Sequence, residues 1–404
     1  MKIIKGSITA PKGFLASGVK SGIKKNKLDL CLILSVVPAH AEGVFTKNTV
    51  KAAPLVLSAA NLRNGWAEAI IANSGNANCL NGRNGMKWAS RMAEAVSAKA
   101  WIDIDDVLVA STGIIGKPLP IEKIEVAVPA LVKGLSRAGE LAAAKAIMTT
   151  DLVPKRIAVA VKIGDKTVKI GGIAKGSGMI CPNMATMLCF ITTDADINWK
   201  ALKSSLKEAV EDSLNMVTVD GDMSTNDTVF LLANGLAANP QIKKGGHGPR
   251  KGKNYKTFCA ALKYVMVYLA KEIARDGEGA SKFIEVTVNG AKSKADAKKM
   301  AMEIANSSLV KTAIAGEDPN TGRIASSAGA SGVKFAESKL DIYLNGIRMV
   351  KGGNADFGLR PKARKALKKK EVSITVDLNS GKYSATAWTC DLTEGYIKIN
   401  AGYN

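Results

Sequence analysis

Short apolar runs bounded by turn residues recur along this 404-residue chain, at residues 28–37, 69–72, 107–110, 157–163 and 284–288. Runs of this length read as buried strands. Between them, residues 84–99, 121–135, 199–214, 257–275 and 294–307 carry apolar positions at three- and four-residue spacing, the pattern of helices with one buried face. In the last of these, Ala297, Met300, Ala301, Ile304 and Ala305 share that face. Strands and helices mix without a strict βαβ rhythm. The expected fold is therefore α+β, with layers of sheet and helix, and not a doubly wound parallel sheet. Residues 157–163 and 166–170 flank Gly164-Asp165 and predict a hairpin that leads into a glycine-rich segment. Residues 241–256 and 316–332, with their glycines, prolines and charges, predict exposed loops. No internal repeat of fixed period is visible.

Hydrophobic residues make up 47% of the chain and charged residues 23%, an ordinary globular composition with room for a large core or two to three units of domain size. Aromatic residues are only 5% and glycines number 38, so the core should be mainly Ala, Val, Ile and Leu between many turns. No stretch of eighteen uncharged apolar residues occurs, which argues against a membrane-spanning helix. The opening Met-Lys-Ile-Ile-Lys is too soon interrupted for a secretory signal, and a cytoplasmic location is expected. Six cysteines stand without C-x-x-C spacing or nearby histidines, so neither a disulfide framework nor a zinc site is expected. Cys31 and Cys189 read as small core residues. The net charge is +22, yet Lys and Arg are spread along the chain, with clusters at 24–27, 243–256 and 360–370 that contain no nucleic-acid motif. Solvated lysine faces are the favoured reading over a nucleic-acid site, and such a surface also steers small acidic substrates.

Chemistry concentrates in Lys175-Gly-Ser-Gly-Met-Ile-Cys-Pro-Asn-Met-Ala-Thr-Met187. Thr186 follows a turn containing glycine and proline, and it can act as a nucleophile only if something takes its proton. His40 and His247 are the sole histidines, so a Ser-His-Asp arrangement would have to use one of them. Cleavage between Ala185 and Thr186 offers another route, because the freed α-amine, of intrinsic pKa about 8, can serve as the base. The competing reading is a glycine-rich turn feeding a buried strand.

An acyl-transfer nucleophile needs donors for the oxyanion. Ala110-Ser-Thr-Gly-Ile-Ile-Gly116 ends a strand in small residues whose amides, with the Thr112 hydroxyl, could supply them; loss of one such donor costs about 3 kcal/mol of barrier. Asn73-Ser-Gly-Asn-Ala-Asn78 is an amide-rich turn. Asp220, Asp222 and Asp227 lie in a polar cluster, 218–227, that superficially suggests calcium but lacks the closing glutamate of an EF-hand; no metal is expected. Asp276-Gly-Glu-Gly-Ala280 closes a helix and presents Glu278.

Together these segments closely resemble the ornithine acetyltransferase (glutamate N-acetyltransferase) family of arginine biosynthesis. The resemblance runs over nearly the whole chain in the same order: Gly43-Val-Phe-Thr-Lys-Asn, Val50-Lys-Ala-Ala-Pro, Asn73–Asn78, Ala110–Gly116, Ile147-Met-Thr-Thr-Asp, Lys175–Met187, Val219-Asp-Gly-Asp-Met-Ser-Thr-Asn-Asp-Thr, Arg275-Asp-Gly-Glu-Gly-Ala, and Cys390-Asp-Leu-Thr through Lys398-Ile-Asn-Ala. Each motif alone is moderately specific, and nine in order are very specific.

The resemblance implies a precursor that cuts itself after Ala185, giving an alpha chain of residues 1–185 and a beta chain of 186–404 whose part from about 285 forms a smaller α/β subdomain. It implies Thr186 as nucleophile and Thr112 with Gly113 as oxyanion hole. Thr149, Lys175, Thr186, Glu278 and Asn400 would hold substrate. Acetyl would pass from N2-acetyl-L-ornithine to Thr186 and then to L-glutamate, with Lys175 on an α-carboxylate and Glu278 on the ornithine ammonium. No cofactor is implied; some relatives also use acetyl-CoA, a candidate co-substrate here. The family implies a heterotetramer of two alpha and two beta chains acting on small molecules, with no nucleic-acid or membrane partner. The alternative reading is a self-processing aminopeptidase or amide hydrolase, with water as acceptor. Two departures from the family pattern stand out: the chain stops short of a substrate-binding hydroxyl residue expected beyond Asn404, and Thr321 replaces a tryptophan.

Overall fold

The computed structural model describes residues 1–181, 187–245 and 252–402. The described residues divide into two units, one of residues 1–176, 187–215, 223–245 and 252–269, the other of residues 177–181, 216–222 and 270–402.

The first unit is built on nine strands: β1 (Lys2–Ile4), β2 (Phe14–Val19), β3 (Leu30–Phe45), β4 (Trp66–Asn76), β5 (Val107–Ile114), β6 (Lys155–Ile163), β7 (Lys166–Lys175), β8 (Leu188–Thr193) and β9 (Thr228–Ala233). They form one sheet in the order β1-β6-β7-β8-β9-β3-β4-β5, with β2 also on β3. The predicted hairpin is β6–β7, turning at Gly164-Asp165 with Ile163 opposite Lys166. Most neighbours run antiparallel, while β4–β5 and β8–β9 are parallel.

Strand β3 runs well past the expected end at residue 37. Its register with β4 shifts between Leu34 and Ala39, around Pro38, which cannot donate to the ladder. Before the shift β3 pairs with β2; beyond it, residues 40–45 pair with β9. One long strand thus belongs to both arms of the sheet, and side-chain alternation gives each face its own core. Leu30, Leu32, Ala69, Ile71, Val107 and Val109 pack on Met92 and Val96 of helix Gly82–Ala100 and on Ile124 and Val128 of helix Ile121–Lys133. The alternate residues Cys31, Ile33, Ile70, Ala72, Leu108 and Ala110 join Ile173, Leu188, Phe190, Phe230 and Leu232 in a second cluster, so the two arms share a core. Each buried Val, Leu, Ile, Met or Phe among them is worth about 1.5–3 kcal/mol.

The second unit carries six strands, β10 (Phe283–Ala291), β11 (Asp341–Leu344), β12 (Ile347–Lys351), β13 (Asn354–Ala355), β14 (Glu371–Asp377) and β15 (Tyr383–Cys390), in the order β13-β12-β11-β14-β10-β15. Helix Lys294–Asn306 buries Ala297, Met300, Ala301, Ile304 and Ala305, the face expected from the spacing. The expected loop over 316–332 is in fact largely helix, Thr321–Ala330. The Asn320 side chain caps it by accepting from the Arg323 N–H, and Ile324 and Ala328 lie buried. Thr321, at the family's tryptophan position, is the first residue of this helix. The expected layering of sheets and helices is found in both units.

Candidate active site

The end of β5 is shaped by its parallel partner. Ser74 lies opposite Thr112 and Gly75 opposite Gly113. Gly113 has φ +132°, and a Cβ there would sit 2.4 Å from the Gly75 carbonyl carbon and 2.5 Å from the Asn76 nitrogen. Only glycine fits so close an approach at that backbone angle. The strand end is held from below by amides: Ser111 Oγ donates to Asn73 Oδ1 at 2.6 Å, and Asn226 Nδ2 donates to the Ser111 carbonyl at 2.8 Å and to the Ala77 carbonyl at 2.6 Å. All of these groups are buried, so the hydrogen bonds replace water that cannot reach them.

Lys175, the last residue of β7, is 2% exposed and donates from Nζ to Thr112 Oγ1 at 3.5 Å. Asp151 ties this strand end to the Thr149 turn. Its Oδ1 accepts from the Gly176 N–H at 2.7 Å and from Lys155 Nζ at 2.7 Å, and its Oδ2 accepts from the Thr149 N–H at 3.0 Å. Burial alone would raise the Asp151 pKa. The Lys155 and Lys175 charges and the hydrogen bonds from Lys155 and Gly176 outweigh burial and hold it below the usual carboxylate range. Close by, Lys24 Nζ donates to the Met148 carbonyl at 2.8 Å. Burial, with Lys27 and Lys175 as like charges, brings the Lys24 pKa down to about 8, despite Asp29 and Asp151.

The start of β8 is fixed at both backbone groups of Met187. Its N–H donates to Asp227 Oδ1 and its carbonyl accepts from the Thr228 N–H, each at 3.0 Å. Leu188 then lies opposite Lys175 on one side and Thr228 on the other. Adjacent residues of one polar segment therefore hold two strand ends, Asn226 the end of β5 and Asp227 the start of β8.

In the second unit Glu278, 8% exposed, donates its N–H to the Ser177 carbonyl at 2.8 Å and accepts from Asn400 Nδ2 at Oε2, also at 2.8 Å. A Cβ on Gly178 would fall 2.3 Å from the Glu278 carboxyl carbon, so that glycine makes room for the carboxylate. Asp220 accepts from the Met179 N–H at 2.5 Å and the Ile180 N–H at 2.8 Å. The carboxylates that superficially suggested calcium thus bind backbone amides at Asp220 and Asp227.

Of the residues singled out in the sequence, Thr112, Gly113, Thr149 and Lys175 come together in the first unit, while Glu278 and Asn400 meet in the second. Ala185 and Thr186 lie outside the described residues. Asp151, Lys155 and Asn226 escaped sequence reasoning. The one available signal was their place in two of the motifs, or just beyond one, since nothing in their spacing announces their partners.

A profile of the ArgJ family matches residues 15–404. The chain is similar to the arginine biosynthesis bifunctional protein ArgJ of Symbiobacterium thermophilum, 48% identical over 406 residues that cover 100% of both chains. The corresponding protein of Caldanaerobacter subterraneus subsp. tengcongensis is 46% identical over 407 residues, again 100% of both. Among solved structures, the arginine biosynthesis bifunctional protein ArgJ from Bacillus halodurans is 41% identical with a TM-score of 0.50, covering 53% of this chain and 98% of its own.

Proposed function

Because the chain belongs to the ArgJ family, we propose that it is a glutamate N-acetyltransferase of arginine biosynthesis that works through a threonine it generates by cutting itself. Cleavage before Thr186 leaves chains of 185 and 219 residues and a free α-amine. Thr186 Oγ attacks the acetyl carbon of N2-acetyl-L-ornithine while the amine takes the hydroxyl proton. That proton passes to the departing ornithine nitrogen, and acetyl remains as an ester on Thr186. The glutamate amine then attacks the ester, its proton returns to Oγ, and N-acetylglutamate leaves. Thr112 Oγ1 and the Gly113 N–H face the developing oxyanion in both steps. Lys175 and Thr149 bind the amino-acid carboxylate end, and Glu278, with Asn400, the ornithine ammonium.

The observation that carries this reading is the convergence at Asp151 and Lys175. A buried carboxylate binds the Thr149 and Gly176 amides, and the lysine before Gly176 reaches Thr112 across 63 residues of sequence. The half-length chain of the Bacillus halodurans structure supports a cut in mid-sequence. Cleavage would leave the two products joined by main-chain hydrogen bonds, because β8 pairs with β7 and β9 with β3. An assembly of two alpha and two beta chains in the cytoplasm completes the proposal, and acetyl-CoA is proposed as a second acetyl donor. Among the described residues no helix is long and apolar enough to cross a membrane.

The deciding experiment is the intact mass of the denatured protein beside a Thr186→Ala variant, followed by acetyl transfer from N2-acetylornithine to glutamate. Two fragments split before Thr186, absent from the variant, are expected together with transfer. One uncut chain in both samples would overturn the mechanism.

A further inference from the structure

Lys24 belongs to the 24–27 cluster read from sequence as a solvated lysine face, yet the structure sets it apart: Lys25 and Lys27 are exposed, whereas Lys24 is half-buried. The loop that carries it is built on Asp29, a fully buried carboxylate. Asp29 Oδ1 accepts from the Ser21 N–H at 2.5 Å, and Oδ2 accepts from the N–H groups of Gly22 at 3.1 Å and Lys24 at 2.8 Å. The Asp29 carbonyl accepts from the Ser74 N–H at 2.9 Å, which fastens the loop to the end of β4. There the Lys24 stem lies on Gly75, the residue opposite Gly113: a Cβ on Gly75 would fall 2.8 Å from Lys24 Cγ. The ammonium reaches the carbonyl of Met148, the residue before Thr149, at 2.8 Å. Ser74 Oγ holds the same segment through the Ala146 carbonyl at 2.5 Å.

The loop thus brings one cation against the strand end that carries Gly113 and against the Thr149 turn. An ammonium has three protons to donate, and among the described residues the Met148 carbonyl is the one acceptor this ammonium meets. The two nearby carboxylates have every oxygen engaged, Asp29 with the three amides above and Asp151 with Thr149, Gly176 and Lys155. Lys175 acts on Lys24 as a like charge, and burial, with Lys27 and Lys175, brings its pKa down to about 8. Two cations gathered beside Thr112 and Gly113, with the local carboxylates committed elsewhere, favour an anionic guest. We propose that Lys24 is a further substrate-binding residue, which with Lys175 and Thr149 seats the α-carboxylate of the amino acid that gives or takes the acetyl group. Its ammonium keeps the Met148 carbonyl as one acceptor and turns its remaining protons to the carboxylate. Donor and acceptor both carry that carboxylate, so one seat serves both halves of the exchange.

This deepens the acetyltransferase reading and rests on it for the identity of the guest. Equilibrium titration separates the two, because it requires no transfer. L-ornithine and 1,4-diaminobutane, the same diamine without the carboxylate, are titrated into the wild type, Lys24→Met and Lys24→Arg. Lys24→Met should weaken ornithine binding about 10- to 100-fold, the scale of a charged hydrogen bond, and leave diaminobutane binding unchanged or tighter. Lys24→Arg keeps the cation and should bind ornithine within a fewfold of wild type. Equal weakening of both ligands would reduce Lys24 to a prop for Met148, and unaltered ornithine affinity in Lys24→Met would remove it from the site; either overturns the proposal. In turnover, KM for N2-acetylornithine and for glutamate should rise together in Lys24→Met. A rise for glutamate alone would put Lys24 on the side-chain carboxylate and overturn the proposal equally. A wild type that binds ornithine through Lys24 yet stays uncut keeps this inference and sinks the self-processing mechanism, whereas one that binds no ornithine sinks both.

Discussion

Lys175 Nζ lies 3.5 Å from Thr112 Oγ1, although 63 residues separate them in sequence. A cation at the end of one strand thus touches the hydroxyl at the end of another, in the part of the first unit where Gly113 and Asp151 also sit. Charge, hydroxyl and backbone donors are held there by the buried side chains of Asp151 and Asn226.

Gly113→Ala tests the close approach of β4 and β5. Its Cβ would meet Gly75 at 2.4 Å, and the φ of +132° is unfavourable to any side chain. The backbone strain alone is about 1–3 kcal/mol. If the variant folds, kcat should fall at least about 100-fold with displacement of the oxyanion donor, while cleavage and melting temperature report the strain. Activity within a fewfold of wild type would exclude this oxyanion assignment.

Asp151→Ala removes one partner of a buried pair whose side chains are both fully shielded from solvent. Stranding Lys155 should cost about 3–5 kcal/mol, read as a loss in chemical denaturation. The pH dependence follows from the sign of the shift. The folded-state pKa of Asp151 is held below the unfolded value of about 3.9, so its contribution is present above that value and is lost as pH falls below it towards the folded pKa. The wild-type advantage over Asp151→Asn should therefore shrink progressively below about pH 4.

Lys24 has the opposite character, with its pKa brought down to about 8 from 10.5 by burial first and by Lys27 and Lys175 next. Between those values the unfolded chain binds more protons than the folded one, so this lysine makes stability rise with pH. Relative to Lys24→Met, wild-type protein should gain stability between about pH 8 and 10.5, as measured by paired denaturation curves. A falling difference would contradict the assignment.

Asn226→Ala leaves the Ser111 and Ala77 carbonyls without their side-chain donor. Each lost buried hydrogen bond costs about 1–3 kcal/mol. Since Ser111 precedes Thr112, kcat should fall more than KM rises. Equal loss in a remote control such as Asn345→Ala, whose side chain donates to the Ala366 carbonyl, would reduce the effect to general destabilisation.

Glu278→Gln keeps a group that can accept from Asn400 but removes the charge. KM for N2-acetylornithine should rise about 10- to 100-fold, the scale of a charged hydrogen bond, with a smaller effect on the glutamate half-reaction. Equal effects on both halves would argue against an ammonium-binding role.

The strands and helices were legible because their periods are local. The β6–β7 hairpin lies where Gly164-Asp165 puts it, and the helix Lys294–Asn306 buries the expected face. Strand β3 extends beyond the apolar run over 28–37 because the tertiary fold absorbs Pro38 in a register shift and carries the strand on to β9. The segment 316–332 looked like loop for its glycines, yet Asn320 caps a helix whose Ile324 and Ala328 find a buried surface.

By itself, the sequence determined the alternation of strand and helix and the ordered motifs that place the chain in its family. These depend on neighbours along the chain, whose spacing is fixed by covalent geometry. Only the tertiary structure decided that Asn226 would hold Ser111, Asp227 would hold Met187, and Asp151 would join Thr149 to Gly176, across 115, 40 and 25 residues respectively for the Asn226, Asp227 and Asp151–Gly176 bonds. Those partners follow from sheet order and register. A buried polar side chain must take whatever hydrogen-bonding group packing brings to it, and local spacing carries no record of which strand that will be.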